Sequence, residues 1–394
     1  MLPTPDQITT LRKEFETELF DHVLPFWERH SMDTQYGGFF DCLGRDGSVY
    51  DTTKYTWLMA RQVWMFSKLY NEVEHRSNWL EMAGNGLEFL RKYARDKDNR
   101  VCFSLTREGK PLYRQRKIFS ECFYTIALAQ YARATGGAGL EGEVKSMLES
   151  LWELAFTPGK AGRPLMPGDD MAQTLAVPMI LLNVLEEMPD SVRASMSQEV
   201  SDCIAAILRH HINGNLYENI TKSGDRKSTA TARLLNPGHA IEAGWFLQHW
   251  ARTLGDGELL ETSIDIIRRA FDRGWDREFG GLYYFLDAEG MTPIQLEWNM
   301  KLWWPHCEAM YAHLLNYTQT RDERDWDDFI RVKEYAFTHF SDPGYGEWFG
   351  YLDREGKVTH EFKGGPYKGC FHVPRSLYYC WKRLNELEKG AANA

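Results

Sequence analysis

The sequence predicts one all-α domain over residues 1–394, an (α/α)6 barrel of twelve helices with short β-hairpins in its connecting loops. Three observations predict it: turn glycines recurring about every 66 residues, two helical segments between turns, and alternation of buried with half-solvated helices.

The turns are Arg45-Asp46-Gly47, Arg107-Glu108-Gly109, Lys222-Ser223-Gly224, Ala288-Glu289-Gly290 and Arg354-Glu355-Gly356. Each follows a strand-like stretch (GGFFDCL, VCFSL, NLYENI, GGLYYFL, EWFGYL), so each reads as a hairpin with glycine in the left-handed position. The interval from Gly109 to Gly224 is about double the others, which places a degenerate or missing turn between Gly159 and Gly168 and makes six units.

Apolar spacing between the turns predicts helices over 6–30, 55–73, 76–94, 117–135, 139–157, 172–187, 192–211, 236–254, 257–272, 300–318, 321–339 and 370–388. The helix after each turn, as in YTWLMARQVWMFSKLY, is apolar on nearly all faces, whereas its partner, as in SVRASMSQEVSDCIAAILRHH, keeps a polar face. A straight solenoid would need more polar terminal units than these, so the repeat closes on itself.

Length alone suggests two or three domains, and the repeat replaces that with one. Charged residues at 26% and hydrophobic residues at 43% exclude disorder. With 46 Lys and Arg against 56 Asp and Glu, the net charge of −10 excludes partners held by phosphate backbones or anionic membranes. The longest apolar run, Leu175 to Leu185, is about half of what a membrane span needs and contains Pro178 and Asn183. The N-terminal stretch lacks an apolar signal region, and seven scattered cysteines lack C-x-x-C spacing; both point to a reduced, cytoplasmic protein. The 14 Trp, 19 Tyr and 21 Phe either pad a large core or wall a concave site.

Arg61, Glu121, His239, His306 and His372 each fall about 12 to 16 residues after a turn glycine. Equivalent places near one end of six inner helices converge on an axial pocket. Glu242 and Glu308 follow His239 and His306 closely and are expected to orient imidazoles or bind hydroxyls. Arg61 either pairs with Glu121 or holds a substrate oxyanion. Trp303 and Trp304 diverge by about 100°, so one of them is expected to face the pocket. No H-E-x-x-H spacing supports a metal, and none is expected. Asp169, Asp170, Glu121, Glu242 and Glu308 leave a hydrolytic carboxylate pair open. Gly344, Gly346 and Gly350 mimic a phosphate loop weakly; Lys363, Gly364, Gly365, Lys368 and Gly369, just before an inner helix, form a better anion cradle.

At these residues the chain resembles the N-acylglucosamine 2-epimerase (renin-binding protein) family, through ARQVWMFSKLY, LAVPMILLNVLEE, LLNPGHAIEAGWF, QLEWNMKLWWPHCEAM, DPGYGEWFGYLDREGKV and GGPYKGCFHVPRSLY. The resemblance implies interconversion of N-acetylglucosamine and N-acetylmannosamine by two acid/base histidines, His239 and His372, with Arg61 anchoring substrate. It implies site-shaping roles for Glu242 and Glu308, and places Asn183 where related disaccharide epimerases carry His. It also implies a homodimer and stimulation by ATP, which is not consumed, at the loop Gly364 to Gly369. Mannose or cellobiose epimerases, aldose-ketose isomerases and, further off, (α/α)6 glycoside hydrolases are the alternatives on this scaffold. Two bases suit the chemistry, because carbon 2 loses a proton on one face and regains one on the other. Cys307 and Cys370, beside site residues, predict sensitivity to thiol reagents.

Overall fold

The computed structural model describes residues 2–137, 139–157, 159–162, 166, 173–225 and 227–392, without the side chains of 391 and 392. In chain order the helices are α1 (Pro5–Thr17), running through a π-helical turn (Glu18–Val23) into α2 (Leu24–His30), then α3 (Thr56–Glu72), α4 (Ser77–Tyr93), α5 (Phe119–Ala134), α6 (Glu141–Phe156), α7 (Ala176–Glu186), α8 (Asp190–Ser195), α9 (Ser197–Arg209), α10 (Pro237–Leu254), α11 (Gly257–Gly274), α12 (Trp303–Thr320), α13 (Glu323–His339) and α14 (His372–Ala392). Local signals set their ends. Thr4 and Gln7 form a capping box for α1, and Asn236 caps α10 ahead of Pro237.

Helices α3, α5, α7, α10, α12 and α14 pack side by side as the inner ring, with α4, α6, α9, α11, α13 and α1 outside them. The N-terminal helix backs the C-terminal one, so the outer partner of α14 is α1. Glu72 on α3 closes the inner ring by accepting from Tyr378 and Lys382 on α14, at 2.7 and 2.8 Å. The predicted helices match the observed ones to within a few residues at their ends, except that 6–30 contains the π turn, 192–211 breaks at Met196, and the helix expected over 172–187 starts at Ala176, after a short strand at Gln173–Thr174. The main core is an apolar cluster running through both rings, with a smaller one of Tyr217, Ile220 and Leu235 among the connections before α10.

All five turn glycines have positive φ, between 79° and 94°. True antiparallel hairpins surround Gly47, Gly109 and Gly356; at Gly224 and Gly290 the arm before the turn instead pairs with the strand that precedes an inner helix. The same cross-unit pairing joins Lys54–Tyr55 to Ser104–Leu105 and Lys301–Leu302 to Tyr351–Leu352. Four of the six inner helices, α3, α7, α10 and α12, are thus stapled to the next unit. The expected sixth turn falls on 159–168, much of it outside the described residues, as are Asp169 and Asp170.

A second repeat underlies the staples. Asp33, Asp276 and Asp342 each begin a tight turn after an outer helix and accept from a buried lysine and a hairpin arginine: Lys54 with Arg107, Lys301 with Arg354, and Lys363 with Arg45. The third bracket joins the first unit to the last. Lys363 is therefore the counterpart of two structural lysines.

Candidate active site

The starts of α10, α12 and α14 meet around Trp304, whose ring centroid lies 5.2 Å from that of His239 and 5.9 Å from that of His372. His239 enters on the first turn of α10, its backbone N–H held by the Asn236 cap; His372 is the first residue of α14. Close approach here needs Gly238, since a Cβ there would lie 2.7 Å from the Trp304 indole. Trp303 also borders His372, at 6.4 Å between ring centroids. Trp304 alone touches both imidazoles; Trp303 packs on Tyr351.

Each histidine has its own carboxylate. His372 Nδ1 lies 2.7 Å from Glu308 Oε1, and His239 Nδ1 lies 3.0 Å from Glu218 Oε1. Nδ1–H donates in both, which leaves each Nε2 as the exchangeable nitrogen. Their environments differ. Burial and the charges of Arg375 and Arg61 hold His372 well below the ordinary imidazole pKa, against an opposing pull from Glu242. Burial also opposes charge on His239, but Glu218, by charge and hydrogen bond, and then Glu242 outweigh it, so its pKa is raised. The two shifts run in opposite directions: relative to an ordinary imidazole, the site favours the free base of His372 and the charged form of His239.

Beneath His372 lies an ionic knot. Arg375 donates to Glu242 at 2.8 Å and to Glu308 at 2.7 Å, while Trp245 Nε1 donates to the other oxygen of Glu308 at 2.9 Å. Ligand atoms of Glu242, Glu308 and His372 lie within 4.8 Å of one another, a spacing that could hold a metal ion. The Arg375 guanidinium already joins the two carboxylates there and supplies the positive charge. Arg61, 8% exposed, makes no ion pair or hydrogen bond among the described residues. Rings of Phe123, Trp57 and Phe371 cage its guanidinium at 4.0, 4.3 and 4.8 Å, and burial lowers its pKa to about 9, so it stays charged. A cation this poorly matched by protein acceptors fits an anion formed during reaction. Asn183 is buried on α7 of the same inner ring.

Three expectations are corrected. His306 is fully buried, its Nδ1–H donating to Leu302 O at 2.6 Å and its Nε2 accepting from Leu282 N–H at 2.8 Å. It stacks on Tyr335 of α13, and burial drives its pKa to about 3, so it is a core residue. Glu308 lies two residues on, about 200° around the helix, and points into the pocket instead. Glu121 accepts from Arg100 at 2.6 Å and from Val101 N–H at 3.2 Å, so it neither joins the histidines nor pairs with Arg61. Lys363 and Lys368 have no exposed surface: Lys363 binds Asp342 and the Glu347 carbonyl, and Lys368 binds Glu347 Oε1 at 2.7 Å. Gly364 presses on Asp41, and Gly365 and Gly369 fold the same loop against Tyr50 and Leu58. The loop is a clasp between ends of the ring, and its ammoniums are not turned outward to an anion.

Cys307 and Cys370 are buried, with thiols pushed well up chiefly by burial. Their expected sensitivity is reversed, since the thiolate is the reactive form. Iodoacetamide at neutral pH should leave the native rate unchanged; rate loss tracking modification of either cysteine contradicts this.

Sequence reasoning missed Arg375, Glu218, Trp245 and Phe371. Arg375 lies one turn after His372 on the same face, a spacing visible in HVPR. Glu218 comes from the connection before α10 and reaches His239 only through tertiary folding.

Two carboxylate-supported imidazoles with oppositely displaced pKa values, at the starts of inner helices of an (α/α)6 barrel and with Arg61 nearby, suit a carbohydrate isomerase. The sequence pattern of the family described as N-acylglucosamine 2-epimerase (GlcNAc 2-epimerase) matches residues 38–373, and the chain belongs to that family. It is 48% identical to the N-acylglucosamine 2-epimerase of Bos taurus over 379 residues, covering 93% of this chain and 90% of that one. It is 45% identical to the Homo sapiens N-acylglucosamine 2-epimerase over 387 residues, 95% and 90% of the two chains. The solved cellobiose 2-epimerase of Spirochaeta thermophila shares the fold, with a TM-score of 0.81 over 97% of this chain and 98% of that one, at 24% identity. The protein is a carbohydrate epimerase of the isomerase class. No helix among the described residues is long and apolar enough to cross a membrane.

Proposed function

We propose that the protein interconverts N-acetyl-D-glucosamine and N-acetyl-D-mannosamine by two-histidine proton transfer at carbon 2. The carrying observation is the opposite pKa displacement of two imidazoles that share one indole wall. In the open-chain sugar, carbon 2 is alpha to the aldehyde. His372 Nε2 takes its proton, the electron pair moves into the carbon 1–carbon 2 bond, and Arg61 faces the charge left on the former carbonyl oxygen. His239 Nε2 then returns a proton to the opposite face. The reverse reaction exchanges the roles.

The sign of the pH dependence follows. His372, with a lowered pKa, becomes a base below pH 6.5; His239, with a raised pKa, stays an acid above it. The rate should therefore form a plateau around pH 6.5, bounded by His372 on the acid side and His239 on the alkaline side. A narrow maximum at pH 6.5 contradicts the assignment. In heavy water, N-acetylmannosamine should gain deuterium at carbon 2 and yield N-acetylglucosamine, with mannose and cellobiose as comparison substrates. No carbon 2 exchange with the N-acyl sugars overturns the reading.

The reading also carries a cytoplasmic homodimer, and ATP as an activator that is not consumed; resemblance supports both. The residues of the Lys363–Gly369 loop do not fit a nucleotide, because both ammoniums are buried in ion pairs, and no step runs through ATP.

A further inference from the structure

Beneath the reacting histidine, Glu308 carries three donors. Oε1 receives His372 Nδ1–H and Arg375, whereas Oε2 receives the indole N–H of Trp245. Trp245 itself is held rigidly. It is 1% exposed, lies between Arg375, whose guanidinium carbon is 5.2 Å from its ring centroid, and a floor of Phe246, His249, Tyr311 and Tyr379 at 4.2 to 6.1 Å. That floor is rigid in turn: His249 bridges Glu186 at 2.5 Å and the Tyr311 hydroxyl at 2.8 Å. A tryptophan needed only for packing would not place its one polar atom on the carboxylate that orients a base.

We propose that Trp245 is a positioning residue for His372, its indole N–H fixing Glu308 with Oε1 turned to the imidazole and sharing the carboxylate charge. This rests on His372 being an acid/base group of the reaction. The charged and titratable groups facing His372 are Arg375 on its own helix, Glu308 on α12, Glu242 and His239 on α10, and Arg61 on α3. Trp245 acts through one of them. Without its N–H, Glu308 keeps more negative charge for its remaining donors and stabilises the imidazolium, so His372 becomes harder to deprotonate.

The test is Trp245→Phe, which keeps an aromatic ring and removes the donor. The acid limb of the kcat/KM profile should move up by about one pH unit, the loss from one hydrogen bond to a charged group. The KM should change little, and kcat/KM should fall more on the acid limb than on the plateau. NMR titration of the His372 imidazole should show the same upward shift without reference to turnover. If the Phe variant does not fold, benzothienylalanine at position 245 replaces only the N–H by sulfur. An unmoved acid limb and unmoved His372 titration, with a uniformly lower kcat, overturn the proposal and leave the two-histidine reading standing. Full activity in His372→Asn overturns that reading instead, and the NMR titration still decides whether Trp245 tunes His372.

Discussion

His372→Asn should lower the epimerisation rate on the order of 10²- to 10⁴-fold, the range that a positioned acid or base supplies. Asn keeps a donor for Glu308 but has no titrating nitrogen where Nε2 stood. The imidazole is almost buried and its carboxylate partner stays paired with Arg375 and Trp245, so the variant should fold. Its unfolding midpoint should therefore stay near that of the parent while kcat collapses. A rate within threefold of the parent contradicts the role given to His372.

Arg375→Met should have the largest effect on stability. Arg375 is 2% exposed and its guanidinium is what joins Glu242 to Glu308. Removing one partner from a buried ionic group costs about 3–5 kcal/mol, because the charge left behind keeps its desolvation penalty. Here two carboxylates are left facing each other. One of them will take a proton, so the loss in stability should be larger at pH 8 than at pH 5. Chemical denaturation at both pH values measures it; a loss below about 1 kcal/mol, or one independent of pH, contradicts the knot.

Periodicity made the architecture legible, because glycine turns and the burial contrast between paired helices are both local in sequence. It located the site less sharply. Offsets of about 12 to 16 residues from a turn span more than one 3.6-residue helical turn, so residues that share a phase by count need not share a face. His239 and His372 fall on the pocket side, whereas His306 faces α13 and Glu121 faces Arg100. The glycine-rich loop misled for another reason. Lysine among glycines signals an anion cradle when read locally, while Lys54, Lys301 and Lys363 repeat with Asp33, Asp276 and Asp342 across the whole chain. Glu347 shows what that clasp demands: it takes a φ of 51° where Gly38 and Gly281 stand in the other repeats, and its carboxylate holds Lys368 and Trp27. Seeing that required aligning the repeats by their aspartates as well as their glycines.

The central claim is that two histidines work from opposite faces of carbon 2. Its most direct measurement is deuterium incorporation at carbon 2 from each epimer in heavy water, with His372→Asn and His239→Asn. Each variant should exchange the carbon 2 proton of one epimer without converting it, and the two variants should choose different epimers. Exchange of both epimers by one variant, or the same epimer chosen by both, contradicts the two-face account.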